Sequence, residues 1–73
     1  MLVDEINQLG EIGIAIRSRR KELHITQSHL AELVKISVNT IYRIERGQAN
    51  PSLSILIRIA ETLGMSINID IRQ

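Results

Sequence analysis

Residues 26–47 read TQSHLAELVKISVNTIYRIERG, two short helical patterns separated by a turn. Thr26 is a good N-cap, because its hydroxyl can accept from an otherwise unpaired backbone N–H. Leu30, Ala31 and Val34 follow it at helical spacing. Lys35-Ile36 interrupts the pattern, and Ser37 offers a second N-cap. Ile41 and Ile44 then repeat until Gly47 closes the second helix. Each helix so defined buries a narrow stripe. In the second, Val38, Asn39 and Thr40 lie off the stripe, as do Tyr42, Arg43 and Arg46. A face carrying an amide, a hydroxyl, a phenol and guanidiniums suits the edges of base pairs in a major groove. A solvated helical hairpin in some all-α domain is the plainer alternative.

The stretch resembles the Cro/repressor-type helix-turn-helix family. Thr26-Gln27, Leu30-Ala31, Ile36-Ser37, Thr40-Ile41 and Ile44-Glu45-Arg46-Gly47 carry the resemblance, and NPSLSILIRIAETLG is similar to the family's next helix. It spans about Ile12 to Gly64. One departure stands in the inter-helix turn, where Lys35 replaces the usual glycine. A left-handed backbone there costs about 1 kcal/mol relative to glycine, so a local adjustment of the turn is expected. The resemblance implies that the end of the first helix and the start of the second approach the DNA backbone. It also implies that Gln27 contacts a phosphate and a base edge.

A chain of 73 residues is one domain, whose single core rarely supplies more than about 3–5 kcal/mol. There is no cysteine, and His24 and His29 have no thiols near them, so neither a disulfide nor a structural zinc is expected. No cofactor is implied. The start, MLVDEINQ, carries acids where a signal peptide needs a basic flank, and no stretch approaches a membrane span. A cytoplasmic location without membrane contact is the expectation. Net charge is only +1, so DNA binding must come from how the charge is distributed.

Residues 1–7 read as a frayed or extended arm, with Asn7 as an N-cap. From about Gln8 to Leu23, Leu9, Ile12, Ile16 and Leu23 define one helical face. Gly10 and Gly13 weaken that helix, and Gly13 is suited to close packing. Arg20 falls on the same stripe, where an unpaired charge is expensive. The resemblance proposes Glu45 as its partner, a structural ion pair fixing the first helix against the third. Arg17, Arg19 and Lys21 lie off the stripe, and His24 reads as a helix-ending cap in strained geometry.

Beyond Gly47, Gln48-Ala49-Asn50-Pro51-Ser52 is a loop of turn formers, and Ser52 caps the next helix. Its amides, with Gln48 and Asn50, suit a phosphate. The helix from Leu53 to Leu63 is expected to pack through Leu53, Leu56, Ile57, Ala60 and Leu63. That leaves Ile55 and Ile59 for burial by another chain. After Gly64 the period changes: Met65, Ile67, Ile69 and Ile71 alternate with polar residues, as in a half-buried strand. A lone strand cannot satisfy its backbone groups, so it is expected to pair with its twin in a homodimer. Two recognition helices would then stand one DNA turn (~34 Å) apart on a palindromic operator.

The expected fold is therefore all-α. A lambda-repressor-like helix-turn-helix domain of four helices, 1–64, is followed by a C-terminal dimerisation strand, 65–73. RSRRKELHITQSHLAELVKIS and SINIDI are similar to the HipB-like regulators, antitoxins that repress their own operon and hold a HipA-type kinase toxin. The resemblance implies an autoregulating antitoxin; a stand-alone repressor or a protein-inhibiting interaction module is the alternative. An enzyme is not indicated, since no clustered acid–base pair stands outside structural positions. In the expected interface Val38, Asn39, Thr40 and Arg43 read base edges, with Val38 against a thymine methyl and Asn39 on adenine. Tyr42 meets a phosphate or the groove wall. Ser37 lies at the same surface, and Arg17, Gln27, Gln48 and Asn50 set register on phosphates.

Overall fold

A computed structural model describes residues 2–71. It contains four helices: α1 (Val3–Glu22), α2 (Gln27–Val34), α3 (Val38–Glu45) and α4 (Leu53–Thr62). Three of the four begin at the hydroxyl caps read from the sequence. Thr26 Oγ1 accepts from the His29 N–H at 3.0 Å, Ser37 Oγ from Thr40 at 3.1 Å and Ser52 Oγ from Ile55 at 3.2 Å. The α2–α3 turn is not adjusted. Lys35 takes the left-handed conformation itself (φ 64°, ψ 46°), and the Ile36 N–H returns to the Ala31 carbonyl at 3.1 Å. His24 is likewise left-handed, at φ 56°.

α3 packs on α2 and α1, and α4 packs on α2. Between them Leu30, Ile41 and Ile59 are completely buried, with Ile16, Val34, Ile44 and Leu63 around them. α1 crosses α3 very closely. A Cβ placed on Gly13 would lie 2.4 Å from the Ile44 carbonyl oxygen and 2.6 Å from that of Glu45, so only glycine fits. Among the described residues no helix is long and apolar enough to cross a membrane.

Three further expectations need correction. The first helix begins at Val3, with Asp4 and Glu5 in its first turn, so no extended arm precedes it over residues 3–7 and Asn7 caps nothing. Its buried stripe is Gly13, Ile16 and Arg20; Leu2 and Ile6 continue that stripe but overhang the body and stay exposed. Ile12 and Leu23 sit at its margins.

On α4 the inward face is rotated from the one expected. Ile59 is fully buried in the chain's own core and Ile55 packs against that core, whereas Leu53 and Ile57 are exposed. Ile59 therefore cannot meet a second chain. The helix is apolar on more than one side, and two stripes of equal spacing share Leu56, Ala60 and Leu63.

The third correction is the strand. Among the described residues there is none: Met65 to Ile71 runs without a ladder. The Met65 N–H closes α4 on the Ala60 carbonyl at 2.8 Å, and Met65 packs on the core. Ile67 is then half-exposed, while Ile69 and Ile71 are 93% and 94% exposed. Alternation supplies a face, but a strand needs an edge to bond, and four helices offer none. Arg72 and Gln73 lie outside the described residues.

Candidate nucleic-acid interface

A buried polar network fixes α3 in place. Arg20 Nε donates to Glu45 Oε2 at 2.6 Å and Nη2 to Oε1 at 2.9 Å, a two-point fork between α1 and the last residue of α3. Arg20 Nη1 donates to the Ile25 carbonyl at 2.8 Å, and Gln27 Nε2 donates to Glu45 Oε1 at 3.1 Å. One carboxylate thus ties α1, the α1–α2 turn, the first residue of α2 and the end of α3. Arg20 and Glu45 are both buried, and no buried side-chain polar atom among the described residues lacks a partner. The hydrogen bond to the Glu45 carboxylate raises the Arg20 pKa above its ordinary value, against desolvation, which lowers it. The guanidinium stays charged, and with it the fork.

On this mount α3 turns Ile41, Ile44 and Glu45 inward and leaves Val38, Asn39, Tyr42, Arg43 and Arg46 exposed. Ser37 and Thr40 are partly committed elsewhere. Their hydroxyl oxygens lie 2.7 Å apart in a mutual hydrogen bond, and the Ser37 oxygen also caps the helix. Arg43 Nη2 donates to the Gln48 carbonyl at 2.9 Å, which steers that guanidinium along the α3–α4 loop and leaves its remaining N–H groups free of the chain. Gln48 and Asn50 are exposed on the same loop.

A cleft of about 340 Å³ with a mixed polar and apolar lining gathers Arg17 from α1, Gln27 from α2, Tyr42 from α3 and Arg46 just past its end, beside Gly10, Ile14 and Glu45. The Arg46 guanidinium stacks over the Tyr42 ring, 5.4 Å from its centre. Of the cleft residues, Arg17 and Gln27 are expected from sequence at phosphates, and Tyr42 at a phosphate or the groove wall. Arg46 was seen only as an outward residue; its spacing of one turn from Tyr42 is the signal that joins it to the cleft. Arg19, from sequence one of the basic run off the stripe, serves the fold instead. Its Nε donates to the Leu63 carbonyl at 2.9 Å and caps the end of α4, a long-range contact that no local pattern announces. The residues sought at a dimer interface, Ile55, Ile59, Met65, Ile67, Ile69 and Ile71, are not brought together as one surface. Ile59 and Met65 serve the core, and only the last three are well exposed.

Two capped helices set across a tight turn, the second held from behind with a polar front, define a helix-turn-helix module. The sequence profile of the helix-turn-helix family matches residues 16–69, and the chain belongs to that family. A relative described as an uncharacterized helix-turn-helix-type transcriptional regulator of Methanothermobacter thermautotrophicus is 49% identical over 49 residues, 67% of this chain and 71% of that one. The immunity repressor protein of Bacillus phage phi105 is 40% identical over 57 residues, 78% of this chain and 40% of its own. Among solved structures, the clp gene regulator ClgR from Corynebacterium glutamicum superposes with a TM-score of 0.77. It is 31% identical and covers 80% of this chain and 62% of its own.

Proposed function

We propose that the chain is a sequence-specific repressor that binds a palindromic operator as a homodimer. The observation that carries the proposal is the split of α3: Ile41, Ile44 and Glu45 are locked inside, while Asn39, Tyr42 and Arg43 present a polar front with Val38 exposed beside them. Membership of the family supports DNA-binding transcription regulation. The phage relative is named an immunity repressor, which favours repression and the partner-free form over an antitoxin with a HipA-like kinase. A cytoplasmic location belongs to the same proposal.

In this reading α3 enters the major groove. Val38, Asn39 and Arg43 read base edges, with Thr40 beside them. Arg17, Gln27, Tyr42, Gln48 and Asn50 hold phosphates, joined by Arg46 in the cleft and by Ser37 at the helix start. The test is binding to the DNA upstream of its own gene, against scrambled DNA, across a salt series. Palindrome-dependent binding with a steep salt slope is expected. Weak binding, equal on both DNAs, sinks the proposal.

A further inference from the structure

α1, α4 and the segment after α4 enclose an apolar groove of about 310 Å³, open to solvent. Ile12 and Ala15 form one wall, Leu56 and Ala60 another, and Met65 and Ile67 a third; no charged side chain lines it. The segment follows this groove as far as Asn68 and then leaves it, with Ile69 and Ile71 almost wholly exposed. Asp70 stands between them. In an extended backbone the two isoleucines share one side, and the carboxylate points to the other.

The molecule therefore carries an uncovered apolar groove and an uncovered apolar segment of matching character. We infer that residues 69–71 of one copy seat in the α1–α4 groove of a second copy, and the second copy's segment in the first. Ile69 and Ile71 enter a groove without charges, and Asp70 keeps its hydration. The exchange is reciprocal and closes about a two-fold axis. Two of the three groove walls, on α1 and α4, are helical, so the seating against them is through side chains. Each copy commits only a few residues, against the roughly 20–30 a side of a standard interface, so the pair is weak in free solution. Half-sites on one operator hold two copies side by side and complete it. The inference deepens the homodimer of the preceding reading and rests on it.

The chain has no cysteine, which makes site-directed disulfides clean. Ala15→Cys protein, labelled with ¹⁵N, is mixed with unlabelled Ile69→Cys or Ile71→Cys protein on operator DNA and oxidised. A disulfide between labelled and unlabelled copies is expected as the main product with one of the two. If the Ala15→Cys/Ile69→Cys and Ala15→Cys/Ile71→Cys double variants instead close within single chains, the segment fills its own groove and the inference fails. Segment-to-segment disulfides alone, or none, in a protein that still sediments as a dimer overturn the exchange and leave the dimeric repressor standing. A monomer both free and on operator DNA overturns both.

Discussion

Two glycines on α1, one turn apart, should respond to the same substitution with opposite signs. An alanine at Gly10 meets nothing within 4 Å, so Gly10→Ala gains only the helical preference of alanine, about 0.5–1 kcal/mol. At Gly13 the same methyl lies 2.4 Å and 2.6 Å from backbone carbonyl oxygens of α3, against the 3.4 Å at which ordinary contact begins. Backbone cannot swing aside as a side chain can, so α1 must lift from α3 by about 1 Å, which forfeits a quarter to a half of the dispersion across the contact. The Arg20–Glu45 fork, at 2.6 and 2.9 Å, spans the same gap and stretches with it. Overpacking costs about 1–3 kcal/mol and a weakened charged hydrogen bond about 1.5–3, less the roughly 1 kcal/mol gained in helix preference. A net loss of about 1.5–5 kcal/mol follows, a large share of the stability of a domain this size. Urea denaturation followed by far-UV circular dichroism measures both variants against the parent. A Gly13→Ala protein as stable as the parent would refute the close crossing.

Other substitutions probe the turn, the buried fork and the DNA face. Lys35→Gly removes the left-handed strain and is expected to stabilise by up to about 1 kcal/mol, a rise of about 4–8 °C in Tm by calorimetry; an unchanged or lower Tm counts against the strain. Arg20→Leu strands the Glu45 carboxylate and should cost about 3–5 kcal/mol, whereas Arg20→Leu with Glu45→Leu should cost distinctly less; a double variant as weak as the sum of the singles would contradict the pairing. Arg43→Ala should lose about 1–3 kcal/mol on operator DNA and relax specificity, while Arg17→Ala weakens binding to all sequences alike and flattens the salt slope by about 1. Equal losses on operator and random DNA for Arg43→Ala would remove it from the readers. Ile69→Asp with Ile71→Asp should leave Tm unchanged, because both side chains are exposed, and weaken operator binding through loss of dimerisation; unchanged operator affinity argues against that segment's role.

The centre of the chain was legible because its signals are local. Thr26, Ser37 and Ser52 each cap a helix through an N–H three residues on, so sequence spacing alone locates the starts of α2, α3 and α4. Arg20 drew notice as a charge on an apolar stripe, which only a buried partner resolves. The flanks were harder because their signals are degenerate. α4 is apolar around much of its circumference, and its inward face is chosen by the shape of α2, which periodicity cannot see. Residues 65–71 alternate as a strand does, yet alternation records which side is apolar and says nothing of a hydrogen-bonding neighbour. Lys35 ran the other way. The expected relief of strain did not occur, because the Ile36 N–H bond to the Ala31 carbonyl and the packing of α2 on α3 fix the turn more strongly than about 1 kcal/mol can undo.

The Glu45 carboxylate joins the two halves of the proposed interface. One of its oxygens, Oε1, accepts from both Arg20 and Gln27, so the residue that opens α2 and the residue that ends α3 are set by a single group. Gln27 is the proposed phosphate contact, and α3 the proposed reader of bases. A readout helix is useful only in fixed register to the backbone contacts that orient it. Here register and readout share one anchor, buried where solvent and salt screen it little. Glu45→Gln tests that dependence. It keeps the shape and one acceptor oxygen but loses the charge of the fork, so α3 should pivot against Gln27. Operator affinity should then fall more than affinity for random DNA, although Glu45 itself is buried and placed to touch neither. Equal losses on both DNAs would mean that the fork serves stability alone.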